Sequence, residues 1–151
     1  MSELSVPLRE AVVQRADNRC EYCQLPARLQ VGGFEVDHIL PRSRGGQTEL
    51  TNLALACPNC NAHKWAHLDG EDPESHQYVL LFNPRTQRWG EHFQWSEQHP
   101  YVIMGTSAHG RATVLRLQMN HPDLVSIRRV LATLGMQWRA EAYSQQALME
   151  S

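Results

Sequence analysis

Apolar residues at Leu8, Val12, Val13 and Ala16 recur at helical spacing behind Ser5 and Pro7. That pattern predicts a short amphipathic helix over residues 6–17, with Ser5 as its N-cap and Pro7 in its first turn. The periodicity stops at Asp17-Asn18, and the tight turn of a Cys-x-x-Cys pair follows. Phe34, Val36 and Ile39 mark a short strand that carries Asp37-His38. A polar loop over 41–47 holds Gly45-Gly46 and two arginines, and the mostly apolar stretch 52–56 reads as a second short strand or turn. Residues 61–67 read as a helix, and the acidic stretch 69–76 as a linker or loop. Beyond it, 78–82, 89–95 and 101–105 read as three short strands of a meander, with the turn signal Asn83-Pro84-Arg85-Thr86 between the first two. Trp89, Phe93 and Trp95 alternate as core residues of a strand do. Two helices close the chain, about 107–119 and about 122–134. Pro122 opens the second, Asp123 lies in its first turn and Gly135 just past its end. Leu124, Ile127, Leu131 and Leu134 supply its buried face, and the last ten or so residues are expected to fray.

These elements predict an α+β fold. A core over residues 1–70 is followed by an extension over 71–151, packed on it as one domain. A chain of 151 residues with 42% hydrophobic and 20% charged residues has the composition of an ordinary soluble globular protein. No apolar run approaches the roughly 18 residues of a membrane span, and the N-terminus lacks a signal-peptide pattern, so a cytoplasmic protein without a membrane partner is expected. No interface is readable, and monomer and homodimer both stay open.

The net charge of −2 weighs against a nucleic-acid partner, but its distribution is uneven. Residues 69–74 hold four acids and no base, whereas 80–139 hold seven arginines against Glu91, Glu97 and Asp123, a local balance of +4. Of the 14 basic residues, 13 are arginine, whose fork suits bidentate phosphate contact as well as ordinary surface ion pairs, and Lys64 is the single lysine.

All four cysteines fall in two pairs, Cys20-x-x-Cys23 and Cys57-Pro-Asn-Cys60, separated by 33 residues. Without a secretion signal a disulfide is disfavoured, and a redox dithiol would use one pair and leave the other without a role. Four thiolates satisfy tetrahedral zinc, which is then structural because no coordination position is left open. Between the pairs stand groups with chemical potential of another kind. His38 has the pKa range of a general base at neutral pH. Asp37 and Asn61 are oxygen donors suited to magnesium or manganese.

The string Phe34-Glu-Val-Asp37-His38-Ile-Leu-Pro41, then Gly45-Gly46, Thr51-Asn52-Leu53 and Cys57-Pro-Asn-Cys60-Asn61-Ala-His-Lys64 closely resembles the HNH endonucleases. Within the ββα-metal superfamily it is most similar to the subgroup stapled by a four-cysteine zinc. The steps of 14 residues from His38 to Asn52 and nine from Asn52 to Asn61 also look like those of the His-Asn-Asn variants. The segment from Leu81 to Trp89, with Gly110-Arg-Ala-Thr-Val, resembles an extension found in bacterial HNH proteins. The resemblance implies a phosphodiesterase acting on DNA, with a catalytic magnesium or manganese ion on Asp37 and Asn61. It makes His38 the general base, Asn52 the brace of its loop, and Lys64 a phosphate contact. Arg42, Arg44 and Arg111 are further candidates for phosphate contact. His63 and His67, four apart on one helical face, are the rival metal ligands to Asn61. A zinc-stapled nucleic-acid-binding module without cleavage is the competing expectation.

Overall fold

The structure is a computed structural model that describes residues 4–140. The expected fraying of the last ten or so residues lies outside them. The first helix, α1 (Val6–Arg15), starts where Ser5 Oγ accepts the Leu8 amide proton at 3.2 Å. It ends because Asp17 and Asn18 both turn to φ 53°, a conformation these short polar side chains tolerate. Its buried side, led by Val12, packs on a hairpin.

That hairpin is β1 (Glu35–His38) paired antiparallel with β2 (Leu53–Ala56), with Asp37 opposite Ala54 and His38 opposite Leu53. All four residues of β2 are buried. Leu53 and Leu55 each contribute roughly 2 kcal/mol of burial, while Ala54 and Ala56 admit close neighbours. A second helix, α2 (Pro58–Lys64), packs on both strands and completes a ββα unit. It begins three residues before the expected start, because Cys57 acts as N-cap and Pro58 takes the first helical position. It stops at Lys64 rather than His67, because Trp65 leaves helical geometry at φ 45° and ψ −121°.

The extension departs further from expectation. The acidic stretch is not a linker: β3 (Asp69–Glu71) pairs with β4 (Tyr78–Leu80) across a turn held by Asp72. No three-stranded meander forms among the described residues. Trp89 opens a single helical turn, α3 (Trp89–His92), which feeds β5 (Phe93–Trp95), and β5 pairs with β6 (Ile103–Gly105). Each of the three sheets has two strands.

The closing helices are α4 (Ala108–Arg116), capped by Ser107, and α5 (Pro122–Thr133), with Gly135 at φ 71° beyond it. The buried side of α5 carries Leu124 and Leu131 as expected, but Leu134 is 66% exposed and Arg128 is fully buried. Arg128 donates to the Tyr101 and Met119 carbonyls at 2.8 and 2.7 Å and lies over the Trp95 ring.

The extension is fastened to the first half of the chain by side chains. Trp89 Nε1 donates to the Tyr22 carbonyl at 2.7 Å, Arg85 pairs with Glu21, and Asn59 donates to the Leu117 and Gln118 carbonyls. One apolar cluster runs from Val12 on α1 to Leu131 on α5. No helix among the described residues is long and apolar enough to cross a membrane.

Candidate active site and zinc centre

The four cysteines are buried, and their sulfurs all lie within 4.8 Å of one another. Zn–S bonds of about 2.3 Å place the sulfurs of a tetrahedron about 3.8 Å apart, and Cys23 Sγ stands 3.6 Å from Cys57 Sγ. In each pair the amide of the second cysteine points at the sulfur of the first, at 3.4 Å. Those bonds orient both knuckles toward one point, so donor type, spacing and burial fit a structural zinc.

His38 ends β1, half-buried, with Nε2 2.9 Å from Thr48 Oγ1. Burial lowers its pKa, the Arg42 charge lowers it further, and Asp37 opposes both. The imidazole is therefore neutral at pH 7. Nδ1 makes no hydrogen bond among the described residues.

The loop after His38 is held by Asn52. Its Oδ1 accepts the Leu40 amide proton at 2.8 Å, and its Nδ2 donates to the Leu40 and Gln47 carbonyls at 3.0 and 2.9 Å. Gly46 lies so close to the same place that a Cβ there would collide with the Leu40 carbonyl oxygen. Arg15 grips the turn bearing Asn52 from α1, donating to the Leu50 and Leu53 carbonyls at 2.7 and 2.6 Å.

Asp37, one residue before His38, projects to the other side of β1 and is only 4% exposed. Its Oδ2 accepts the Tyr22 hydroxyl proton at 2.7 Å, and Lys64 Nζ stands 3.2 Å from Oδ1 and 3.1 Å from Oδ2. Burial raises the carboxyl pKa against the pull of Lys64 and Tyr22. Burial and the Asp37 charge push the Tyr22 hydroxyl well above its usual range, so it stays a donor.

Lys64 corrects an expectation. At 2% exposure it has no access to a phosphate; its ammonium also donates to the His38 and Ile39 carbonyls, both at 3.2 Å. Arg111 is likewise engaged, in a two-point pair with buried Asp72 at 2.8 and 2.9 Å. Arg42 and Arg44 are exposed on a single 3-10 turn beyond β1.

Asn61, half-buried on α2 one turn before Lys64, has no side-chain hydrogen bond among the described residues. The donor set of Asp37 and Asn61, an acid and an amide oxygen, fits a hard divalent cation. Lys64 already shows where a cation rests on Asp37, so a metal ion on that carboxylate would have to displace the ammonium. The rival histidines are not gathered there: His63 Nδ1 meets the Asn59 carbonyl at 2.7 Å and its ring lies near His121, while His67 packs against Trp65. Among the described residues the four cysteines form the one cluster of three or more histidine, cysteine or acid ligands.

Tyr22, Thr48 and Arg15 complete this arrangement, and no spacing in the sequence marks them. Tyr22 lies inside the first knuckle, Thr48 in a polar loop, and Arg15 in the last turn of α1.

Residues 20–66, which span these groups from Cys20 to Lys64, match the family model described as HNH endonuclease. The Septu protein PtuB of Bacillus thuringiensis is 25% identical over 126 residues, covering 82% of this chain and 45% of that protein. The chain thus spans about half the length of this curated relative. No solved structure gives a significant match. The cysteine knuckles and the ββα unit both fall within residues 20–66, the segment that is similar to an HNH endonuclease domain.

Proposed function

We propose that the chain is a metal-dependent endonuclease that hydrolyses phosphodiester bonds in DNA, with His38 as general base. The observation that carries this reading is His38 itself: Nε2 is tied to Thr48, and Nδ1 is left for a water molecule. With Nε2–H donating to Thr48 Oγ1, the Nδ1 lone pair takes the proton of a water that attacks phosphorus in line. The bond from phosphorus to the 3′ oxygen breaks on the opposite side, leaving a 5′-phosphate and a 3′-hydroxyl. A lowered pKa keeps the imidazole ready to accept that proton at neutral pH.

Asp37 and Asn61 would hold a magnesium or manganese ion, which would supply positive charge to the transition state. Asn52 keeps the loop after His38 in one conformation, so the base meets its water without reorganising. Arg42 and Arg44, exposed beyond β1, attract the phosphate backbone.

A binding module without cleavage is the second reading, favoured by the ammonium that already rests on Asp37. Plasmid nicking separates the two. The zinc-loaded protein with magnesium should nick supercoiled plasmid. His38→Ala should abolish nicking while zinc content and melting temperature stay those of the wild type. Equal nicking by the variant removes His38 from the mechanism; no nicking by the wild type with either metal supports the binding module.

A further inference from the structure

Trp65 combines two features that the fold does not explain. It is 76% exposed, although tryptophan gains more than any other side chain from burial. Its backbone sits at φ 45° and ψ −121°, the angles of the first inner position of a type II′ turn, which belongs to glycine. A hydrogen bond from the His67 amide to the Lys64 carbonyl at 2.9 Å closes that turn around it. Neither burial nor backbone preference selects tryptophan there. The ring meets one aromatic neighbour, edge-on, at His67.

Its place in the chain is specific. The Trp65 amide donates to the Asn61 carbonyl at 3.0 Å, and the preceding residue, Lys64, reaches Asp37 and the His38 carbonyl. The exposed indole thus stands at the end of the helix that carries Asn61. Backbone positions held in sparsely populated angles cluster at active sites and ligand clamps.

Resting on the nuclease reading above, we propose that Trp65 stacks on a nucleobase beside the cleaved phosphate. The substrate is then DNA with an unstacked base at that point: single-stranded, or locally unpaired. An indole face is sequence-tolerant because every base has a π-face. Inside an intact duplex the bases are already stacked on each other, and the ring would have to unstack a step.

The experiment uses the zinc-loaded chain carrying His38→Ala, so that DNA is bound and not cut. Fluorescence anisotropy compares three probes of one length: oligothymidylate, an abasic deoxyribose-phosphate oligomer, and a paired duplex. The parent should prefer oligothymidylate over the abasic oligomer by roughly ten- to hundredfold. Trp65→Gly should lose that preference and bind both alike, and Trp65→Phe should keep most of it. Glycine accepts the left-handed turn, so Trp65→Gly should melt no lower than its parent, whereas a purely structural tryptophan predicts a lower melting temperature. Undiminished base preference in Trp65→Gly overturns the stack and assigns the ring to a protein contact. A duplex bound more tightly than oligothymidylate overturns the unstacked substrate. The nuclease reading is judged separately by plasmid nicking: a protein that nicks while Trp65→Gly leaves base preference intact loses the stack alone.

Discussion

Replacing Lys64 by methionine tests the arrangement at Asp37. Methionine keeps the length and apolar stem of lysine and removes its charge. The ammonium lies 3.1–3.2 Å from both carboxylate oxygens, and both partners are almost fully buried. Breaking such a pair from one side leaves an uncompensated buried charge and costs about 3–5 kcal/mol. Two features place Lys64→Met near the lower end. Tyr22 still donates to the carboxylate, and burial has already raised the Asp37 pKa, so the carboxyl takes up a proton more easily than an exposed one. The His38 and Ile39 carbonyls lose a donor as well. A loss of about 3 kcal/mol lowers the melting temperature of a chain this size by roughly 6–12 °C. Scanning calorimetry of the zinc-loaded protein measures it. Adding Asp37→Asn should recover part of the loss, because the orphaned charge is gone. Manganese should then raise the melting temperature of Lys64→Met more than that of the wild type, since Asp37 no longer holds a competing cation. A melting temperature within 2 °C of the wild type refutes the buried pair. Equal manganese shifts in the two proteins refute the competition for Asp37.

Asn52→Ala removes three solvent-accessible hydrogen bonds of a half-buried side chain, so stability should fall by about 1 kcal/mol. Nicking should fall more than tenfold as the loop loosens, and unchanged nicking at full substrate would remove the brace from catalysis. The two-point pair with Arg111 holds the Asp72 carboxyl well below the usual carboxylate range. A depressed folded-state pKa gives stability that is present above the unfolded value of about 3.9 and is lost as pH falls through the folded one. The gap in urea midpoint between wild type and Asp72→Asn should therefore hold from pH 7 to pH 5 and close only in stronger acid; closure between pH 7 and 5 contradicts the assignment.

What the sequence disclosed depended on how local each determinant is. The clustering of the four cysteines was legible because a C-x2-C turn aims two sulfurs at one point whatever surrounds it. Short apolar runs marked β1 and left 52–56 as a strand or turn, while their antiparallel pairing is visible only in the structure. Lys64 was misread because an isolated lysine is an exposed residue by default, and its partner lies 27 residues away on a strand whose inward side only the fold defines. Asp72 misled in the same way: four acids in six residues look like a solvated linker until Arg111 arrives 39 residues later. The face of α5 shifted because Arg128, polar by composition, finds two carbonyls and the Trp95 ring in the interior. Trp89 reads as strand in a one-dimensional pattern, yet its indole N–H bonds the Tyr22 carbonyl from the start of a helical turn.

The side chains around His38 bond backbone for the most part. Arg15 takes two carbonyls, Asn52 two carbonyls and an amide, and Lys64 two more carbonyls besides Asp37. Gly46 removes the one Cβ that would push this loop away from Leu40. The cysteines fix the knuckles at either end, and Tyr22 links the first knuckle to Asp37. Few polar functions remain uncommitted in such a network, and His38 Nδ1 and the Asn61 amide are two of them. Their freedom has a physical consequence. On the proposed reading a water at Nδ1 would break no native hydrogen bond, whereas an ion on Asp37 would have to displace the Lys64 ammonium from the carboxylate and from the His38 and Ile39 carbonyls. The loop after His38 is thus framed by hydrogen bonds to backbone, and on the proposed reading Lys64 is the one side chain that a metal on Asp37 would have to move.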